Sequence, residues 1–313
     1  MVYEQFRMGY FMRKLGIILA GGKSTRLFPS TLVTTKQLLP VFDKPMIYYP
    51  LSTLMLAGIK DFVIISSPAE VEKFKELFKD CKSEMGINVT VLEQPVPVGI
   101  ADAFRIIVRE LGHEFTQQFI RHALILGDNI FYGAGFSSHL INANKASVYA
   151  TIFLHTVPNP SQFGIATTDS HGTVLNIEEK PENPESNLAI TGLYFYPSDV
   201  YDFVMNLTPS SRGELEITDL NKFYLNDNRL VSHRLQRGMM WFDAGNSESL
   251  LEASNFIKFI QTYQGILVGS PHEIAIHRKL VSRTDITPFL EKCSKTDYGK
   301  YLQTLMDNDS KSY

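Results

Sequence analysis

Three cations follow a glycine pair at the end of an apolar run in this chain. Residues 15–22 read Leu-Gly-Ile-Ile-Leu-Ala-Gly-Gly, and Lys23, Arg26 and Lys36 come after them. Gly21 and Gly22 let backbone amides approach an anion closely, and the cations supply charge to neutralise it. Gly22-Lys23-Ser24 looks like the tail of a P-loop, but that motif needs a glycine where Ile17 stands, so the spacing excludes it. The cations suit a different polyphosphate loop. Arg26 offers a rigid fork and Lys36 a mobile point charge, while Lys23 is left open as a surface cation.

Two carboxylates emerge from apolar runs. Asp128 follows Ala123–Leu126 and precedes Asn129; Asp243 follows Met239-Met240-Trp241-Phe242 and lies two residues before Gly245. Two oxygen ligands from separate elements, completed by phosphates and waters, suit Mg²⁺, although an Asp near Gly also commonly caps a turn. Glu179-Lys180 ends another strand pattern and could hold sugar hydroxyls and a sugar phosphate. Arg212, in a loop entering a helix, is a candidate phosphate ligand. His272-Glu273-Ile274-Ala275-Ile276-His277 is one residue too long for a HExxH zinc site.

The elements that must position these groups alternate through the first half. Leu15–Ala20, Phe62–Ser66, Val89–Leu92 and Ala123–Leu126 are expected strands, with helices at Met46–Ala57, Val71–Phe78 and Ala101–Leu111. Such alternation predicts an α/β fold with a central, mostly parallel sheet covered on both faces. Ligands of such sheets bind outside the carboxyl ends of the strands, where the Gly21 loop and the Gly127-Asp128-Asn129 turn both fall. Further along, strands are expected at Val148–Leu154, Val174–Glu178 and Leu193–Phe195, and helices at Glu214–Leu225 and Glu248–Tyr263. The expected division is an extension at 1–11, an α/β domain at 12–264, and a helical appendage at 265–313 ending in a frayed segment from Asp307.

Bulk properties narrow the class. Across 313 residues, 30 Lys and Arg stand against 33 Asp and Glu, giving no bias toward nucleic acid. Cys81 and Cys293 show neither a disulfide framework nor metal-ligand spacing, which suits a reducing cytoplasm. The longest apolar run, Met46 to Ile59, is short and broken by Pro50, so no membrane span is expected, and the first ten residues do not read as a signal peptide.

Taken in order, several segments carry a resemblance. These are Leu19-Ala20-Gly21-Gly22 with Thr25-Arg26-Leu27, Lys36-Gln37-Leu38-Leu39-Pro40, Asp43-Lys44-Pro45-Met46-Ile47-Tyr48-Tyr49-Pro50-Leu51-Ser52 and Leu126-Gly127-Asp128-Asn129. Glu178-Glu179-Lys180-Pro181, Thr191-Gly192-Leu193-Tyr194 and Arg212-Gly213-Glu214-Leu215-Glu216-Ile217-Thr218-Asp219 continue it. The chain resembles the sugar-nucleotide pyrophosphorylases over about 15–302, and within them the branch that joins thymidylate to glucose 1-phosphate. The resemblance implies a Rossmann-like nucleotidyltransferase fold, Mg²⁺ dependence, dTTP and glucose 1-phosphate as substrates, and a homotetramer. The implied product is dTDP-glucose, for dTDP-L-rhamnose or another deoxysugar.

By motif position, Arg26 and Lys36 would neutralise the triphosphate and Asp128 and Asp243 would hold Mg²⁺. Gly21, Gly22 and Thr25 would line the nucleotide, and Gln94 and the Gly99 backbone would read the base. Asn129, Gly164 and Glu179 would hold glucose, and Lys180 and Arg212 its phosphate. Ser24 stands where the family loop has glycine, adding a Cβ where the loop needs either a left-handed backbone or a flat approach to phosphate. Val98 and Asp102 depart from the family's base-reading segment, and Ala244 from its Asp-Thr-Gly. These departures leave two alternatives: a relative of other base or sugar preference, or a weakened homologue retained for nucleotide-sugar binding.

Overall fold

The computed structural model describes residues 13–22, 24–145 and 147–309. The extension expected at 1–11, Lys23 and the last four residues lie outside that set.

β1 (Arg13–Leu19) is followed by 3-10 turns at Thr25–Leu27 and Lys36–Leu38, a small ribbon of β2 (Pro40–Val41) and β3 (Lys44–Pro45), and α1 (Tyr48–Leu56). β4 (Asp61–Ser66), α2 (Val71–Leu77), α3 (Cys81–Met85), β5 (Asn88–Glu93), α4 (Asp102–Thr116) and β6 (Phe119–Leu126) complete the first half. Then come β7 (Asn129–Tyr132), α5 (Phe136–Ala143), β8 (Ala150–Thr156), β9 (Gly164–Thr168), β10 (Val174–Glu179), β11 (Leu188–Pro197) and α6 (Val200–Met205). α7 (Ile217–Asn226), β12 (Leu230–Arg234), β13 (Met240–Asp243) and α8 (Ser247–Gln264) precede three more helices, α9 (Pro271–His277), α10 (Arg283–Cys293) and α11 (Asp297–Asp309).

β6, β1, β4 and β5 form a parallel block in that order, and β11 runs antiparallel beside β6 to extend a nine-stranded mixed sheet. β1, β4 and β6 read as apolar runs because both faces are covered, whereas β5 at the edge alternates. Ile18, Ile64 and Ile125 pack with Leu51 and Leu54 of α1 and Phe74 of α2. Leu15, Ile17, Val63, Ile65 and Leu124 turn to the other face, against Phe104 and Ile107 of α4 and Leu220 and Tyr224 of α7. The expected α/β architecture, with its central mostly parallel sheet, is thus the observed one.

Register sets the height of the site. Leu19 lies opposite Ile65 on one side and Leu126 on the other, and Ile65 lies opposite Leu92. The loops beginning at Gly21, Gln94 and Gly127 therefore leave the sheet at one level. Gly127 N donates to Leu19 O at 3.0 Å and Ala20 N to Ile65 O at 2.7 Å, which fastens the loop bases together.

Several expected boundaries shift for visible reasons. α4 runs on to Thr116, past a non-helical Gly112 (φ 78°, ψ 167°) that kinks it. α7 starts at Ile217 rather than Glu214, because Leu215 pairs with Val98 (Leu215 N to Val98 O, 2.6 Å) and holds the approach extended. The ten-residue β11 is far longer than the core expected at Leu193–Phe195, and is buried throughout. After α8, α10 and α11 share an apolar cluster of Ile286, Leu290, Leu302 and Met306 with Ile276 of α9. Residues 307–309, expected to fray, continue α11, and Asp307 pairs with Arg283.

Candidate active site

Beyond β1 the chain turns sharply. Gly22 (φ 109°) and Ser24 (φ 49°, ψ 28°) both adopt left-handed backbone, so the serine carries a Cβ where glycine is favoured. Its carbonyl accepts from Thr31 Oγ1 (3.1 Å) and Leu27 N (3.2 Å), while its hydroxyl is buried with no partner among the described residues. Both features cost stability. Ser24→Gly is expected to raise stability by about 1 kcal/mol, read as a higher Tm with dTTP affinity retained. A large loss of dTTP affinity would instead identify the hydroxyl as a ligand.

The turn aims Arg26 across the site. A Cβ on Gly245 would lie 2.8 Å from Arg26 Nη2 and 2.9 Å from Asp243 Oδ1, so the bare glycine leaves room for both groups to converge. Asp243 ends β13, which pairs antiparallel with β7 so that Asp243 lies opposite Asn129. Ala244 N donates to Asp128 O at 3.0 Å, closing the ribbon and placing the two aspartates on adjacent strand ends. Lys36, in its 3-10 turn, contacts the Asp128 carboxylate directly.

Burial, and then the neighbouring Asp128 charge, push Asp243 up to about 6, against the opposing pull of Lys36 and Arg26. Two neighbouring, mutually repelling carboxylates, of which Asp243 lines a cleft, form a donor set that a hard divalent cation fits. Among the described residues no group of three His, Cys, Asp or Glu side chains is placed to hold a metal. Any ion here therefore needs oxygens from substrate or water.

Asn129 is almost fully buried at 1% exposure; its amide oxygen takes two hydrogen bonds and its NH₂ gives one. Oδ1 accepts from Gly192 N (3.0 Å) and Trp241 Nε1 (2.6 Å), and Nδ2 donates to Asp128 Oδ1 at 3.2 Å. Its contacts therefore orient Asp128 and join β11 to the β7–β13 ribbon.

A cleft of about 450 Å³ opens in front of these groups. It is lined by Arg26, Asn129 and Asp243 at one end and by Gly164, Glu179, Lys180 and Thr218 at the other. Pairing of β9 with β10 sets Gly164 opposite Glu179. Glu179 Oε2 accepts from Thr218 Oγ1 at 2.6 Å, and a Cβ on Gly164 would come within 3.2 Å of both oxygens. Lys180 leaves the strand in left-handed backbone (φ 44°), with Nζ 3.9 Å from Glu179 Oε1. Arg212 lies outside the cleft lining, in a carboxylate cluster with Glu214, Glu216 Oε1 (3.4 Å) and Glu179 Oε1 (3.7 Å).

The remaining candidates lie beyond β5. Gln94 is buried, with Oε1 3.0 Å from where a Cβ on Gly21 would sit. Gly99 (φ 116°) presses on Leu215, whose carbonyl would stand 2.4 Å from any Cβ. A second cavity of about 330 Å³ adjoins this region, lined by Gly22, Ser24, Thr31, Thr35 and Gln94 among others. Thr25 is exposed at the start of the loop's 3-10 turn.

The structure thus collects Arg26, Asn129, Gly164, Glu179, Lys180 and Asp243 in one cleft and joins Lys36 to it through Asp128. Gly21, Gly22 and Gln94 form an adjacent group, and Gly99 packs against Leu215. Thr218 and Trp241 were not singled out as candidates. Trp241 could have been found by strand periodicity, since it lies two residues before Asp243 and so shares its face. Thr218 had no such local signal, because its partner Glu179 is far away in sequence.

The family model for nucleotidyl transferases matches residues 15–259. The glucose-1-phosphate thymidylyltransferase of Xanthomonas campestris pv. campestris (strain B100) is 47% identical over 94% of this chain and 97% of that protein. The enzyme of the same name from Mycobacterium tuberculosis (strain H37Rv) is 42% identical over 94% of this chain and 99% of its own. A crystal structure of a Bacillus anthracis protein titled as a glucose-1-phosphate thymidylyltransferase, in complex with a sucrose, superposes with a TM-score of 0.71. It is 34% identical and covers 83% of this chain and 99% of that one. A UDP-glucose pyrophosphorylase structure, 21% identical with a TM-score of 0.66, shares the fold.

Proposed function

Since the chain belongs to the nucleotidyl transferase family, we propose that it transfers thymidylate from dTTP to glucose 1-phosphate, giving dTDP-glucose and pyrophosphate. The observation that carries this reading is the cleft itself. Arg26 and Asp243 line it together with Glu179, whose carboxylate is held by Thr218 and suits sugar hydroxyls, and Lys36 pairs with Asp128 next to Asp243.

In the proposed reaction a phosphate oxygen of glucose 1-phosphate attacks the α-phosphorus of dTTP. The bond from that phosphorus to the bridging oxygen breaks, and pyrophosphate leaves. Arg26 and Lys36 neutralise charge on the triphosphate, and Lys180 and Arg212 hold the sugar phosphate in line; Arg212 must exchange a carboxylate neighbour for it. Glu179, with Gly164 beside it, positions the glucose together with Asn129 from the other end of the cleft. Alignment and charge neutralisation are what such transfers require, so no covalent nucleophile is needed. Asp128 and Asp243 would hold Mg²⁺, which when bound would offset phosphate charge. Gln94 and the Gly99 backbone read the base, with Gly21, Gly22 and Thr25 along the nucleotide.

The proposal extends to a cytoplasmic homotetramer with the α/β body at 12–264 and the appendage at 265–313. Among the described residues no helix is long and apolar enough to cross a membrane. The decisive assay is pyrophosphate release with glucose 1-phosphate, Mg²⁺ and each nucleoside triphosphate in turn. Turnover is expected with dTTP. Robust turnover with UTP and none with dTTP would sink the thymidyl assignment, and binding without turnover of any triphosphate would leave a regulatory homologue.

A further inference from the structure

Gln94 and Asp102 form a buried pair at the edge of the nucleotide region. They are 4% and 8% exposed, and Gln94 Nε2 donates to Asp102 Oδ2 at 3.2 Å. Asp102 opens α4 and Gln94 follows β5, so the contact ties a helix start to a strand end. No hydrogen bond to Gln94 Oε1 is made by the described residues, and that oxygen faces Gly21.

A carboxamide can present either its oxygen or its NH₂ to a ligand, and rotation by half a turn exchanges them. A carboxylate only accepts, so it can bond only the NH₂ end. We propose that Asp102 is a positioning residue for base selection. It holds Gln94 with the acceptor oxygen toward the nucleotide, so that the site takes a pyrimidine carrying an N3–H donor. This inference rests on the reading that Gln94 faces the base. Thymine and uracil carry that donor. Cytosine presents a bare N3 acceptor, which would oppose Gln94 Oε1 and leave two acceptors unpaired. Asp102 therefore selects the keto pyrimidines as a class and does not discriminate between dTTP and UTP.

Asp102→Asn tests this, because an asparagine can bond either end of Gln94 and releases its orientation. The measurement is the ratio of kcat/KM for dTTP to that for dCTP, with the dTTP-to-UTP ratio and Tm recorded alongside. The variant is expected to lose about tenfold or more of its dTTP-over-dCTP preference, with the dTTP-to-UTP ratio unchanged. A purely structural role would lower all three rates together and leave both ratios intact. Asp102→Ala guards against misfolding of the first variant, since it deletes the acceptor without adding a donor, and the same loss of preference is expected. Folded variants that keep the wild-type dTTP-over-dCTP ratio would overturn the role of Asp102. A wild-type protein that turns over no triphosphate would overturn the proposed reaction itself, a result visible before any variant is made.

Discussion

Asp243→Asn is expected to lower kcat by about a thousandfold while raising the Tm of the metal-free protein at neutral pH. The two effects have one cause. Asp243 is half-buried beside Asp128, and its carboxyl is pushed from 3.8 to about 6. Its folded value lies above its unfolded one, so the folded state binds the proton more tightly. Stability therefore falls as pH rises from about 4 to about 6, and the full penalty remains above that window. Asparagine removes the charge and the penalty, so the variant's advantage in Tm should vanish below about pH 4. A divalent cation, if held by the two carboxylates as proposed, would relieve the same repulsion. Mg²⁺ should then raise the Tm of the wild type at neutral pH, more weakly at about pH 5, and least in the variant. Activity at limiting Mg²⁺ should decline as pH falls through about 6. Turnover by Asp243→Asn that matches the wild type at limiting Mg²⁺ would refute the metal role.

That carboxylate pair also shows how far the sequence could be read. Asp128 and Asp243 were recognisable because each follows an apolar run. The ribbon that joins them was not, because β7 and β13 have four residues each and pair only with one another. Strands of four residues can show which side chains share a face but not which strand they pair with, because that pairing is fixed by distant residues. The parallel block was legible for the opposite reason: β1, β4 and β6 are apolar runs covered on both faces. Ser24 is an intermediate case. A serine in place of glycine suggested left-handed backbone strain, and the structure shows φ at 49°, whereas its buried unpaired hydroxyl depends on packing that no local pattern encodes. Arg212 illustrates the limit on charge reading. The sequence marks it as a phosphate candidate, but its three neighbouring carboxylates come from β10 and from its own loop, and only folding brings Glu179 to it.

Lys36→Met is expected to lower kcat by about a hundredfold to a thousandfold, with a smaller rise in KM for dTTP. Methionine keeps much of the side chain's volume and removes its charge, so the comparison isolates electrostatics from packing. In the ligand-free protein Lys36 offsets Asp128, and its loss leaves Arg26 as the cation acting on Asp243. Repulsion between Asp128 and Asp243 then grows, which pushes Asp243 above its present value of about 6. A divalent cation should therefore gain from the substitution at neutral pH, and the rise in Tm on adding Mg²⁺ should be retained or enlarged. That response is opposite to the one expected of Asp243→Asn, although both variants lose turnover. The contrast separates a metal ligand from a cation that acts on substrate. Lys36→Arg restores the charge on a wider, planar group and should recover only part of kcat, because a fork cannot occupy the position of an ammonium point charge. Loss of the Mg²⁺ response in Lys36→Met, or kcat within about tenfold of the wild type, would show that Lys36 serves mainly to hold Asp128 in place.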